Sequence, residues 1–291
     1  MTAEAARRYD RPTPTLEQPV TRIRPRTALA AAALVALGFA GARTLDTDRS
    51  AADVPAPKTI GYSRVIDLSH TFDPKIPLWP GDPKVRFKTV ASFKKDGYFL
   101  RSFTIGEHSA THMNAANSFI AGNRKAITSY PASQRVVRAA VIDVRDKVRR
   151  NADYRVTQAD IEAWEAAHGR IEPGTFVILY TGWQQRWGNP KAFFNQDRKG
   201  RMHFPGFAGA TARWLLSERS ISGAGTDTHG LDPGLDTAYA TNTALARAHK
   251  LALECMANLD KLPATGATLI LAPLQLRGGS GSPLDVVALV P

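Results

Sequence analysis

A helix-forming segment followed directly by a wholly apolar run constrains the fold of this 291-residue chain most strongly. Thr157 and Asp160 have the spacing of a helix N-cap and its third residue, and Gly169 is typical of a helix end. The run at 176–180, FVILY, predicts a strand that is buried on both faces. Such a strand needs a layer on each side, so the pair indicates an α/β or α+β fold with a central mixed sheet and flanking helices.

Short β-branched runs alternate with helical patterns between residue 60 and the C-terminus, with no repeat and no second linker. The predicted strands are Arg64–Leu68, Arg101–Ile105, Ala139–Val144, Thr175–Thr181, Gly223–Thr226, Thr268–Leu271 and Val286–Val290. Two further helices are predicted at Ala210–Arg219 and Thr241–Leu251. We therefore expect residues 60–291 to form one domain.

The N-terminal residues have the organisation of an export signal. Arg22, Arg24 and Arg26 precede an uncharged run at 27–42, and the small residues at 40–42 suit a signal peptidase. This run is shorter than the roughly 20 residues of a membrane span. We expect residues 1–42 to be a signal peptide or an uncleaved N-terminal anchor, and residues 43–59 to be a linker. The expected location is periplasmic or extracellular, with membrane contact only through this segment.

The formal net charge of +12 is compatible with a nucleic-acid partner, but its distribution is not. Basic residues are scattered, their clusters are short, and no aromatic residues are interleaved with a basic run. The charge therefore predicts a solvated basic surface and no nucleic-acid partner. The single cysteine, Cys255, cannot form an internal disulfide. Because it lies beside Glu254 in an apolar stretch, it is predicted to be a packed residue, not a nucleophile.

One pair of histidines, His108 and His112, has the spacing of metal ligands. The metalloprotease signature requires a glutamate after the first histidine, and Ser109 occupies that position. Gly106 before the pair and Asn114 after it disfavour a helix, so we expect the pair at a strand end or in a loop. Alone, the spacing is more typical of two hydrogen-bonded histidines near a turn.

Three further segments carry polar or aromatic residues where a ligand site could form. Trp79 lies in a Pro-rich turn at 76–83, which could wall a pocket or simply cap the core. Asp227 and His229 follow a predicted strand, where open α/β sheets place their ligands. Glu254 lies in an apolar run and needs a partner, either a metal ion or an arginine.

Several short motifs follow one another between about residue 64 and the C-terminus. They are Asp67-Leu68-Ser69, Trp79-Pro80-Gly81, His108-x-x-Thr111-His112, Gly182-Trp183, Gly225-x-Asp227, Glu254-x-x-x-Asn258-Leu259 and Gly279-Ser280-Gly281-Ser282-Pro283. In this order they resemble the cyclase family of metal-dependent hydrolases, which includes bacterial kynurenine formamidase and isatin hydrolase. The resemblance implies a swivelling β/β/α fold, a homo-oligomer (dimer or tetramer), a small-molecule substrate and no nucleotide cofactor.

The resemblance also implies a set of site residues. The family motif is similar to His-x-Gly-Thr-His-x-Asp-x-Pro-x-His and binds one or two divalent metals together with a later histidine and a glutamate. His108 and His112 match the first two ligands, and Glu254 matches the glutamate. Two histidines and one carboxylate could hold one ion, zinc or manganese, with open positions for water.

Five positions depart from the family pattern, and two of them, Ala110 and Ala116, replace the motif's Gly and Pro. The other three change the functional groups. Asn114 occupies the position of the aspartate, Ser118 that of the acid/base histidine, and Asn242 that of the later histidine. Asparagine is a neutral and weaker metal ligand than a carboxylate. His229 is predicted as a substitute acid/base because it stands at a strand end on the presumed pocket side, and Ser118 is the second predicted catalytic-site residue. The predicted substrate-binding residues are Trp79, Asn114, Asn242 and Asp227.

Three functions remain open from the sequence. A metal-dependent hydrolase would cleave an amide, formamide or lactone bond through a polarised carbonyl and a metal-bound water. A metal-free enzyme on the same scaffold would catalyse a cyclisation, isomerisation or dehydration by positioning and proton transfer. A non-catalytic protein would only bind its small molecule. The two imidazoles and the remote carboxylate favour the hydrolase.

Overall fold

An eight-stranded mixed sheet organises the computed structural model, which describes residues 59–291. The strands are β1 (Arg64–Asp67), β2 (Arg86–Ala91), β3 (Leu100–Thr104), β4 (His112–Asn114), β5 (Val136–Asp143), β6 (Arg155–Val156), β7 (Phe176–Tyr180), β8 (Gly206–Phe207), β9 (Gly223–Thr226), β10 (Leu251–Glu254), β11 (Thr268–Pro273) and β12 (Gly281–Val290). The helices are α1 (Phe93–Asp96), α2 (Ala116–Phe119), α3 (Arg145–Arg150), α4 (Gln158–His168), α5 (Pro190–Phe194), α6 (Gly209–Glu218) and α7 (Ala240–Arg247). The predicted export segment and all but the last residue of the predicted linker lie outside the described residues.

The sheet closes on itself through its longest strand. Its order is β1-β12-β11-β5-β7-β9-β10-β4, and β4 also pairs with β12. The first three residues of β12, Gly281–Pro283, pair with β4, and its remainder pairs with β11 and β1. The middle strands β5, β7, β9 and β10 are parallel, and the other pairings are antiparallel. The expected mixed sheet with flanking helices is therefore confirmed, in a barrel-like arrangement.

The central strands are buried on both faces, as the run at 176–180 predicts. Phe176 and Ile178 face one apolar cluster together with residues of β1, β11 and β12. Val177 and Leu179 face a second cluster, which contains side chains of α3 to α7. Alternate residues of each strand therefore stabilise the barrel interior and the outer helical layer.

The seven predicted strands are all present, with ends that shift by a few residues. The third predicted helix ends at Arg247, not at Leu251. His249 adopts a left-handed backbone conformation (φ 54°), and Lys250 N donates to the carbonyl of Leu245, so the helix closes there. Leu251 then begins β10, a strand that the sequence did not predict.

The glycines of β9 are required by the packing of neighbouring chains. A Cβ at Gly223 would lie 2.3 Å from the Leu251 carbonyl oxygen, and one at Gly225 would lie 2.9 Å from the Phe176 ring. Glycine has a low propensity for strands, yet β9 is a central strand. Only glycine at these two positions leaves room for the neighbouring strands and side chains.

The β2–β3 hairpin forms a separate two-stranded sheet with many apolar side chains in solvent. Phe93 is 74% exposed and Phe103 is 60% exposed. Such a hairpin has little stability of its own in water. None of the helices in residues 59–291 has the length and apolar character that a membrane span requires.

A buried ion pair joins α4 to the end of α6. Glu165 accepts two hydrogen bonds from Arg219, at 2.7 and 2.9 Å, and one from Ile171 N. Both charged side chains are about nine-tenths buried. Arg219→Met would leave the Glu165 carboxylate without a counter-charge, and we expect the free energy of unfolding to fall by about 3 kcal/mol.

Urea denaturation measures this loss. The Glu165→Met, Arg219→Met double variant removes both charges and should recover most of it. A single variant that unfolds at the urea concentration of the wild type would show that the pair adds nothing.

Candidate active site

Strand pairing brings the remote glutamate to the histidine motif. In the antiparallel β4–β10 pair, His112 lies directly opposite Glu254, and Asn114 is opposite Ala252. Because side chains alternate along a strand, Asn114 lies on the same face as His112. His112 Nε2 is 3.3 Å from Glu254 Oε2. The expected convergence of His112 and Glu254 is therefore a consequence of sheet register.

The Glu254 carboxylate is buried and surrounded by nitrogen atoms. Asn114 Nδ2 donates to Oε1 at 2.9 Å, and Asn242 Nδ2 donates to the same oxygen at 3.1 Å. Oε2 faces His112 and, at 3.8 Å, His229 Nδ1. Burial alone would raise the pKa of Glu254, but the hydrogen bond and charge of His112, with help from His229 and Asn242, lower it to about 2.

Asp232 fixes the position of Asn242 at the start of α7. Its carboxylate accepts hydrogen bonds from the backbone N–H groups of Thr241 and Asn242 and, at 3.0 Å, from Asn242 Nδ2. This is the usual place for an anion at a helix N-terminus. Burial nevertheless raises the pKa of Asp232 to about 6.

His108 lies in the loop before β4, and its ring packs on the backbone of β12. A Cβ at Gly281 would be 2.6 Å from the His108 ring, so only glycine fits there. Asn114 uses its Nδ2 group on Glu254, so its Oδ1 accepts from His108 Nδ1, at 2.8 Å. The other ring nitrogen of His108 is 3.0 Å from Ser280 Oγ.

His229 follows β9 and has one ring nitrogen with no partner. Its Nδ1 faces Glu254, whereas its buried Nε2 has no hydrogen-bond partner in the described residues. The ring centroid is 5.2 Å from that of Trp79 and 5.6 Å from that of His112. Burial and the neighbouring charge of His112 lower the pKa of His229 to about 4. A neutral imidazole with a free nitrogen can accept a proton.

These groups form the floor of a cavity of about 450 Å³, which is the size of a small-molecule site. Its walls carry four aromatic side chains, Trp79, Phe119, Phe204 and Tyr239. Charged residues also line it: Asp82, Lys199, Arg201 and Asp236. The cavity is therefore lined by both aromatic and charged side chains.

The structure brings eight of the nine predicted site residues to this cavity, and Asp227 is the exception. The eight are Trp79, His108, His112, Asn114, Ser118, His229, Asn242 and Glu254. The Asp227 carboxylate is wholly buried and accepts hydrogen bonds from Thr181 N and Oγ1 and from Gln184 N. Its expected contact with substrate is corrected on this ground, because both oxygens already hold the turn after β7.

Sequence reasoning missed two residues that hold the site together, Ser280 and Asp232. The sequence places Ser280 only within the Gly279–Pro283 motif, yet its hydroxyl contacts both His108 and the Glu107 carboxylate. Asp232 fixes Asn242, and the sequence gives it no role. Its position nine residues before Thr241 gives no local signal, and only the fold brings it to the N-terminus of α7.

Comparisons with known proteins find relatives that match most of the described chain. The Cyclase family model matches residues 66–233 of the chain. An isatin hydrolase of Roseibium aggregatum is 35% identical over 247 residues, which cover 79% of this chain and 93% of that protein. The chain belongs to the cyclase family. A kynurenine formamidase of Salinibacter ruber is 24% identical over 225 residues, 77% of this chain and 96% of the relative.

Several solved structures of similar proteins share the fold of this cyclase-family chain. Isatin hydrolase A from Ralstonia solanacearum superposes with a TM-score of 0.74 at 34% identity, over 78% of this chain and 92% of that one. A protein described as a potential metal-dependent hydrolase with cyclase activity superposes with a TM-score of 0.60 at 21% identity, over 77% of this chain and 96% of that one. At that identity the second likeness supports the fold alone.

The donor set does not fit the predicted zinc or manganese ion. No group of three His, Cys, Asp or Glu side chains within residues 59–291 is arranged to hold a metal ion. His108, a predicted ligand, uses both ring nitrogens, on Asn114 and Ser280. The amides of Asn114 and Asn242 direct N–H groups at the Glu254 carboxylate, where an ion would require lone pairs.

Proposed function

We propose that this chain is a hydrolase that cleaves an activated amide bond, or the related formamide or lactone bond, in a small aromatic molecule. One observation carries the proposal: a neutral histidine, His229, and a buried carboxylate, Glu254, lie side by side at the floor of an aromatic-walled cavity. The names of the isatin hydrolase and kynurenine formamidase relatives support the bond type.

His229 would act as the general base. Its free Nε2 would accept a proton from the attacking water, and water oxygen would bond to the substrate carbonyl carbon. The Glu254 carboxylate, 3.8 Å from Nδ1, would stabilise the imidazolium that forms. When the carbon–nitrogen bond breaks, His229 would return the proton to the leaving amine, and the carboxylic acid that forms would release its own proton to solvent and leave as a carboxylate.

The substrate would have to supply much of its own reactivity. The amide protons of Asn114 and Asn242 are directed at Glu254, Asn242 Oδ1 and Asp232, so they are not free to bind a developing oxyanion. A ring-strained amide beside a ketone, as in isatin, or an N-aryl formamide has a more electrophilic carbonyl than a peptide. Trp79 would hold the aromatic ring of such a substrate against the histidine.

A hydrolysis panel tests the proposal. The purified chain is mixed with isatin, N-aryl formamides and aromatic lactones, and ring opening or deformylation is followed by absorbance and by mass spectrometry. We expect catalysed hydrolysis of at least one activated amide, with peptides left intact. Tight binding across the panel without any turnover would instead support a small-molecule binding protein.

We also propose that the chain is exported through residues 1–42 and assembles as a homo-oligomer, a dimer or tetramer. The exposed aromatic side chains of Phe103 in β3 and of Phe93 in α1, which connects β2 to β3, support assembly, because so much apolar surface in solvent is unfavourable. Sedimentation equilibrium of the purified chain measures the mass of the assembly, and a monomer at micromolar concentration would contradict it.

A further inference from the structure

The buried carboxylate of Glu254 has two hydrogen-bond donors on Oε1 and two histidine nitrogens beside Oε2. Asn114 Nδ2 has two protons, directed at Glu254 Oε1 and Asn242 Oδ1 at 2.9 and 3.4 Å. Asn242 Nδ2 also has two, directed at Glu254 Oε1 and Asp232 Oδ2 at 3.1 and 3.0 Å. No amide proton is left over, and Asn114 Oδ1 accepts from His108.

We propose that this site needs no resident divalent ion, because the carboxamides of Asn114 and Asn242 occupy the place beside Glu254 that a metal would need. A buried carboxylate must be compensated, either by a cation or by donors. Here two amide N–H groups compensate Oε1, and His112 and His229 lie at Oε2. A closed network of this kind is rigid, and it holds Glu254 beside His229.

The same network excludes an ion by electrostatics. An ion beside Oε1 would face the positive ends of two N–H dipoles, and both side chains would have to rotate. Rotation of Asn242 would leave Asp232, which is buried, without one of its donors. Rotation of Asn114 would place its Nδ2 group against the protonated Nδ1 of His108. Metal binding beside Oε1 would therefore cost several hydrogen bonds that the free site keeps.

Metal titration of the full chain tests this directly. Protein treated with EDTA and dialysed is titrated with MnCl₂ or ZnCl₂ by calorimetry, and its metal content and thermal midpoint are measured. We expect far less than one ion per chain and no shift of the midpoint at micromolar metal. Stoichiometric micromolar binding that is lost in Glu254→Gln would overturn the proposal.

A single isosteric change should create the missing site. Asn114→Asp replaces N–H donors by oxygen lone pairs beside Glu254, and we expect binding of one ion at least 100-fold tighter than in the wild type, with a raised thermal midpoint. Asn117→Asp is the matched control, since Asn117 lies three residues further along and does not line the cavity. Failure of Asn114→Asp to gain an ion would show that the Asn114 amide is not what excludes it, and would overturn the role given to that residue.

The metal-free site deepens the proposed function. It rests on that function only for the reaction that the site would catalyse, not for the absence of the ion. The titration measures ion binding and does not measure turnover, so each can fail separately. A chain that binds no ion but hydrolyses nothing would remove the hydrolase and leave the metal-free site. A chain that hydrolyses an activated amide only with bound metal would remove the metal-free site and leave the hydrolase.

Discussion

Replacement of His229 by alanine is expected to lower kcat for the best amide of the panel by about 10³-fold, while KM changes by less than a few-fold. The side chain lies at the cavity floor with Nε2 unpartnered and Nδ1 towards Glu254, so its removal deletes the proton acceptor. Trp79 and the other aromatic walls remain and continue to bind the substrate ring. Steady-state kinetics of the variant and the wild type measure the effect.

Chemical rescue separates catalysis by His229 from a packing role. The alanine variant has a space the size of an imidazole ring beside Trp79 and Phe194. Added imidazole should restore activity in proportion to its concentration, and a benzene of similar size should not. His168→Ala, at the exposed end of α4, is the matched control and should behave as the wild type. A His229→Ala variant with undiminished kcat would remove the base from the proposed mechanism.

The fold could be predicted from sequence where local pattern and burial agree. The α4 segment has its capping box between Thr157 and Asp160, and β7 is buried along its whole length. The strand β4 has only three residues, too few to show the alternation of apolar and polar residues that identifies a strand in a sequence. The helix predicted at 241–251 ends at Arg247 in the structure. His249 adopts a left-handed backbone conformation there, which apolar spacing does not indicate.

The site was predictable in its residue types but not in its hydrogen bonds. His112 and Glu254 were expected to converge, and the register of β4 with β10 places them opposite each other. The sequence could not show that Asn114 and Asn242 would both donate to Glu254, since they come from a strand and a helix far apart in the chain. The sequence likewise predicts that Asp227 binds substrate, because it cannot show that both carboxylate oxygens accept hydrogen bonds from the turn after β7.

Glu254→Gln is expected to lower kcat/KM by at least 10³-fold, because a neutral amide cannot stabilise the imidazolium of His229. Glutamine has the same shape, and its carbonyl oxygen can still accept from Asn114 and Asn242, so the fold should persist. Circular dichroism and the thermal midpoint check this. The matched control is Glu162→Gln on the exposed side of α4, which should leave the kinetics unchanged.

The double variant His229→Ala, Glu254→Gln decides whether the two groups act as one unit. If Glu254 serves catalysis only by stabilising protonated His229, then its removal costs little once the histidine is gone. The double variant should therefore be about as slow as the slower single variant. Independent roles would multiply the two losses to about 10⁶-fold. A multiplied loss would mean that Glu254 acts on the substrate or water directly, since its carboxylate would then contribute without the imidazole 3.8 Å away.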